Sequence, residues 1–166
     1  MKTLEDQMSF YAAYHQDARN KATHFVGVPA IVLSLMVPLS WLRFEGVTAA
    51  MVVTAALLAY YLALDVWLGL AMCVLMGALL WIGQLIADQG ALAGWIWFGV
   101  LFVGGWILQL VGHVFEGRKP ALADNLFQIF VAPIFLCAEL FFALGYKPGL
   151  HDAVRERALR TRQQVS

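Results

Sequence analysis

Four histidines, His15, His24, His113 and His151, give this chain its widest chemical reach. An imidazole titrates near neutrality and is a common ligand for iron, zinc and copper. His113 is followed three residues later by Glu116, a spacing that puts both side chains on one face of a helix. A carboxylate at a helix C-terminus opposes the helix dipole, so Glu116 calls for a cation or metal beside it. His15, His24, His113 and Glu116 together form a nitrogen and oxygen donor set that iron or zinc accepts. Open positions on such a site suit non-haem Fe(II) and oxygen. Against this stands the plainer reading of histidines that merely face water at membrane boundaries. The residues are dispersed, and no H-x-x-x-H or H-E-x-x-H motif occurs. His151, just after Gly149, reads as a surface residue.

Other polar residues could support such a site. Asn20, Asn125 and Gln128 could orient ligands from behind, or equally cap helices and bond between them. Glu139 lies in an apolar segment, where it is costly unless it faces a polar site or the segment bends at Pro133 toward the interface. Arg118 and Lys119 could receive an anionic head group or a fatty-acid carboxylate, and a topology anchor is the plainer reading of the two.

The elements that must position these residues are apolar. The chain has 166 residues, of which 61% are hydrophobic and 13% charged, with mean hydropathy +0.73. That composition describes an integral membrane protein. Eleven basic and eleven acidic residues cancel, so no nucleic-acid partner is expected. Cys73 and Cys137 sit in apolar runs, and no signal-peptide pattern opens the sequence.

Met1–Thr23 reads as an amphipathic helix on the membrane surface, with Met8, Tyr11 and His15 on one face. Phe25–Leu42 is a first span, with Pro29 in its first turn and Pro38 kinking or ending it. Val47–Ala87 carries a single charge, Asp65. As one helix it would be about 60 Å long against a hydrocarbon core of about 30 Å, so it must hold two spans with a turn near Asp65. That turn is expected on the face away from the histidines. Ala91–Val111 is a fourth span, its glycines allowing close helix approach. Four spans between His24 and His113 bring both to one face, where an odd number would separate them. Leu126–Tyr146, with Gln128, Pro133 and Glu139, reads as a kinked or re-entrant fifth helix. It keeps the Arg-rich tail on the same, cytoplasmic, face as Arg118-Lys119. The expected architecture is therefore a single all-α membrane domain. Residues 1–24 form its amphipathic segment, 25–146 the bundle and 147–166 a polar tail.

The motifs Tyr11-x-x-x-His15, Asn20-Lys21-x-x-His24-x-x-Gly27-Val28-Pro29 and Gly112-His113-x-Phe115-Glu116-x-Arg118-Lys119-Pro120-Ala121-Leu122 come in that order, followed by Asn125, Pro133 and Glu139. In this the chain resembles the Mpo-type family of small membrane proteins, whose fungal member is a 2-hydroxy fatty acid dioxygenase of α-oxidation. The resemblance runs from about Ser9 to Tyr146. The middle spans share only their apolar character with the family, and the tail carries no matching motif.

The resemblance implies an Fe(2+)-dependent enzyme that uses O₂ to shorten a long-chain 2-hydroxy fatty acid by one carbon between C1 and C2. It implies His15, His24 and His113 as iron ligands, with Glu116 a fourth ligand or the carboxylate fixing a histidine tautomer. Asn20, Asn125 and Glu139 would support them, and Arg118 or Lys119 would receive the substrate carboxylate. Such an enzyme would face the cytoplasm from a bacterial inner membrane or, in a eukaryote, from the endoplasmic reticulum. A small transporter and a non-catalytic membrane protein binding metal or lipid are the alternatives.

Overall fold

The computed structural model describes residues 3–118, 120–123 and 125–164. Among them are seven α-helices: α1 (Leu4–Ala12), α2 (Ala18–Trp41), α3 (Ala49–Leu64), α4 (Val66–Ala87), α5 (Ala91–Glu116), α6 (Gln128–Ala143) and α7 (Pro148–Gln164). A two-residue antiparallel ladder, β1 (Arg43–Phe44) with β2 (Val47–Thr48), joins α2 to α3. Helices α2, α4 and α5 are long and apolar enough to cross a bilayer, whereas α3 and α6, at 16 residues each, are shorter. The fold is all-α, as its apolar composition requires where backbone polar groups must be satisfied within each segment. Contacts divide the chain into two compact units, Met1–Phe25 with Leu110–Ser166, and Val26–Gln109.

In Val26–Gln109 the helices meet over small residues. A Cβ on Gly105 would stand 2.9 Å from the Gly27 carbonyl oxygen, and one on Gly94 would stand 2.5 Å from the Trp41 ring, so α2 and α5 lie antiparallel in close contact. A Cβ on Gly83 would meet Met36 at 2.6 Å, and Trp41 Nε1 donates to the Ala87 carbonyl at 3.1 Å. Helices α2 and α4 thus run parallel, and α3 runs back between them.

The long apolar run breaks at Asp65, whose extended backbone ends α3 and whose Oδ1 caps α4 by accepting from the Trp67 and Leu68 amides at 3.0 and 3.1 Å. The turn is where sequence placed it, but its side is not. From Gly83 back to Asp65, α4 runs about 25 Å, at ~1.5 Å per residue, toward the end of α2 that holds Val26. Because α3 returns after α2, Asp65 lies at that end of the unit rather than at the far one.

In Met1–Phe25 with Leu110–Ser166, α1 lays its apolar face on α6 and α7. Met8 is fully buried, Tyr11 packs on Phe135 at 4.6 Å, and α7 contributes Val154 and Ala158. Protein covers the face that sequence assigned to the membrane surface. Thr3 and Asp6 form a capping box at the start of α1, and Arg157 of α7 pairs with Asp6 at 2.6 Å.

Three boundaries differ from the sequence expectation. Helix α1 stops at Ala12, so His15 lies on two short turns beyond it. Helix α2 begins at Ala18, which puts Pro29 in mid-helix, and it runs through Pro38 to Trp41. Packing inside a bundle offsets the lost backbone bonds. The polar tail is a helix.

Candidate metal centre

The start of α2 is built around Glu116, the last residue of α5. Its Oε2 accepts from the backbone amides of Gln16 at 2.9 Å and Asp17 at 2.8 Å and from Asn20 Nδ2 at 3.2 Å. Its Oε1 accepts from Arg162 of α7 at 2.5 Å. A carboxylate that is unfavourable at the end of its own helix is thereby stabilised at the start of another, where orphan N–H groups favour an anion.

This carboxylate fixes the three segments that carry histidines. His15 follows α1, His24 lies two turns into α2, and His113 precedes Glu116 by three residues on α5. All three are buried, and their ligand atoms lie within 4.8 Å of one another. The His113 ring lies 5.0 Å from that of His15 and 5.1 Å from that of His24, centroid to centroid. Tyr11 stacks on His15 at 4.0 Å, nearly parallel. A Cβ on Gly112 would collide with Thr23 and stand 2.5 Å from Asn20 Oδ1, so α5 approaches α2 this closely only with glycine there.

The hydrogen bonds settle the tautomers. His15 Nδ1 bonds the Tyr11 carbonyl at 2.8 Å and His24 Nδ1 bonds the Asn20 carbonyl at 2.9 Å. A carbonyl only accepts, so each Nδ1 carries a proton and donates it. Each Nε2 of the neutral rings then presents a lone pair, and the two Nε2 atoms face each other at 3.1 Å. Two facing lone pairs repel unless a proton or cation lies between them. Nitrogens bound to one metal at ~2.1 Å stand about 3.0–3.4 Å apart. His113 Nδ1 is a third buried nitrogen, with no hydrogen-bond partner. Burial holds the His15 imidazole well below its usual range, with His24 adding to the effect, so that ring stays neutral and free to bind a cation. The donor set fits a transition metal.

The other expected site residues fall into two groups. Asn20 belongs to the centre: it is fully buried, its carbonyl orients His24 and its amide reaches Glu116 and the Tyr14 carbonyl. Glu116 lies beside the centre, bonded to amides and Arg162, and is not one of the three clustered ligand residues. Glu139 pairs with Lys21 at 2.6 Å. Asn125 caps a turn through the Phe127 amide at 3.0 Å, and Gln128 bonds Gln7 at 3.5 Å. The Arg118 guanidinium donates to the Arg162 carbonyl at 3.2 Å, and Lys119 lies outside the described residues. His151 stacks on Phe142 at 4.9 Å, in the same unit but outside the histidine cluster.

Sequence reasoning missed Arg162. A signal existed: Leu150, Val154, Ala158 and Arg162 recur every four residues, one helical face that ends in the arginine.

Among curated proteins the chain is 35% identical to the 2-hydroxy-palmitic acid dioxygenase MPO1 of Saccharomyces cerevisiae, over 97% of this chain and 96% of the yeast protein. No solved structure matches it. The family described as 2-hydroxy-palmitic acid dioxygenase Mpo1-like matches residues 1–144, a stretch that holds all three clustered histidines together with Asn20 and Glu116. The chain belongs to the Mpo1-like family.

Proposed function

We propose that the protein is an Fe(II)-dependent dioxygenase that shortens 2-hydroxy long-chain fatty acids by one carbon. The observation that carries the reading is the pair of bare Nε2 atoms at 3.1 Å beside His113, within the family-matched stretch. His15, His24 and His113 hold the metal. Bound Fe(II) supplies the redox chemistry that lets O₂ react with a 2-hydroxy acid, and open positions on a three-histidine site leave room for both.

The chain's own residues prepare that chemistry. The Tyr11 and Asn20 carbonyls keep the proton on Nδ1 of His15 and His24. Glu116 holds the backbone on which His15 and His24 stand, and burial excludes water. Arg118, with Lys119 beside it in sequence, receives the substrate carboxylate. Glu139, Lys21 and Asn125 brace the surrounding backbone. One 2-hydroxy acid and one O₂ balance to the acid one carbon shorter, CO₂ and water, so no external reductant is needed.

The chain works as one membrane domain with four crossings, α2 to α5, and α6 as a short helix that does not cross fully. Parallel α2 and α4 support this, since α3 must return between them. The site then faces the cytoplasm with the Arg-rich tail, in a bacterial inner membrane or the endoplasmic reticulum.

Elemental analysis of detergent-purified protein, wild type beside His113→Ala, tests the metal. About one iron per chain, lost in the variant, is expected, followed by O₂ uptake with 2-hydroxypalmitate and equal release of CO₂. Wild-type protein that takes up no metal after anaerobic Fe(II) loading would sink the reading. Metal binding without O₂ uptake would move it to a non-catalytic binding protein.

A further inference from the structure

The family match ends at residue 144, before α7 begins, yet α7 reaches the most heavily bonded carboxylate near the histidines. We propose that Arg162, on this tail helix, is a positioning residue for the histidine cluster, acting through Glu116. The inference rests on the metal reading above and extends the site to a segment outside the family match.

The Glu116 side chain is 1% exposed and Arg162 is the cation that neutralises it, bonded to Oε1 at 2.5 Å. The other oxygen takes the Gln16 and Asp17 amides and the Asn20 amide. These four donors come from three places: the turn after His15, the first turn of α2 below His24, and α7. A buried carboxylate without a cation is expensive, and the cheapest relief is protonation or rotation into water. Either would weaken its hold on Gln16, next to His15, and on Asn20, whose carbonyl fixes the His24 tautomer. Arg162 is held in turn. Its carbonyl accepts from Arg118, and it continues the buried face of Val154 and Ala158, both of which are 2% exposed or less. A second set of pairs, Arg157 to Glu5 and Asp6, ties α7 to α1 without involving Glu116. The tail therefore has one attachment that serves docking and another that reaches the site.

The test compares wild type, Arg162→Met, Arg162→Lys and, as a control, Arg157→Met, all as full-length protein in detergent. One readout is Fe(II) affinity by anaerobic competition with a chromophoric chelator. The other is hydrogen exchange across Ala13–Asp17 in metal-free protein. Arg162→Met is expected to lose about 10- to 100-fold in affinity, the usual effect of removing a group that orients metal ligands. Its Gln16 and Asp17 amides should exchange about tenfold faster or more, reporting local opening rather than global unfolding. Arg162→Lys should recover most of both, and Arg157→Met should change neither.

Wild-type affinity and protection in Arg162→Met would overturn the proposal, as would equal losses in Arg157→Met. If Arg162→Met does not fold, Arg162→Gln takes its place. Failure of both to fold, with Arg157→Met folded, would reduce Arg162 to a structural residue. Wild-type protein that binds no Fe(II) sinks the metal reading instead, and the exchange data then decide the positioning role alone.

Discussion

In Val26–Gln109 helices meet where side chains are missing; in Met1–Phe25 with Leu110–Ser166 they meet where polar side chains are present. The first unit brings α2 against α5 over Gly27, Gly94 and Gly105, and α4 against α2 at Gly83. The second joins its helices through Glu116, Asn20, Lys21, Glu139 and Arg162. Close apolar packing asks for small size and tolerates many sequences that keep it. A buried polar cluster asks for particular atoms at particular distances, and each unmet partner is costly. Most of the motif residues, from Tyr11 to His24 and from Gly112 to Glu139, lie in the polar unit, while Gly27, Val28 and Pro29 belong to the close-packed one.

The contrast can be broken most severely at the centre. His24→Ala should abolish bound metal and reduce oxygen uptake by at least about a thousandfold, while thermal unfolding of the metal-free protein shifts little; elemental analysis and an oxygen electrode decide. Glu116→Ala strips a half-buried cation and three N–H groups of their acceptor. A loss of about 3–5 kcal/mol is expected, together with weaker metal binding, measured by denaturant unfolding and chelator competition.

Gly105→Leu makes the matching assault on the other unit. Its added atoms meet the Gly27 carbonyl and the Ile31 amide, which cannot swing aside. About 1–3 kcal/mol should be lost, with Fe(II) affinity of the folded fraction unchanged. A fall in affinity as large as that of Glu116→Ala would erase the distinction.

Acid gives a gentler version. The His15 pKa is lowered in the folded state, so below about 6.5 the unfolded chain takes up a proton that the folded one refuses. Metal-free protein should therefore lose stability as pH falls from there, by up to about 1.4 kcal/mol per pH unit for this group, until the folded pKa is reached. Melting curves between neutral pH and pH 5 would show it, and His15→Phe should flatten the slope.

The smallest effect is expected at Arg43, whose pair with Asp88 is exposed on both sides. Arg43→Ala should cost only about 0.2–1 kcal/mol and fade with salt.

Much of the site was legible because membrane burial makes polar residues conspicuous. His24 and His113 stood out at the edges of apolar runs, His15 and Asn20 at helical spacing from Tyr11 and His24, and the expectation of four spans put His24 and His113 on one face. Glu116 was recognised as needing a cation, but its partner came from a helix that charge had disguised as a loose tail. The side of Asp65 was misjudged, although the same span count implies it. Helix limits were least legible. Ala12 and Ala13 carry no stop signal, and Pro29 reads as a helix start until packing shows otherwise.

The assembly of the centre also has an order in time. His24 leaves the ribosome about 90 residues before His113 and about 140 before Arg162. At ~5–20 residues per second, on the order of ten seconds pass before all the parts exist. For roughly the first two-thirds of that interval the first two histidines have neither their third companion nor the carboxylate that sets their backbone. If the cluster holds metal as proposed, a nascent chain is a poor trap for stray metal, and capture tightens when the last helix docks.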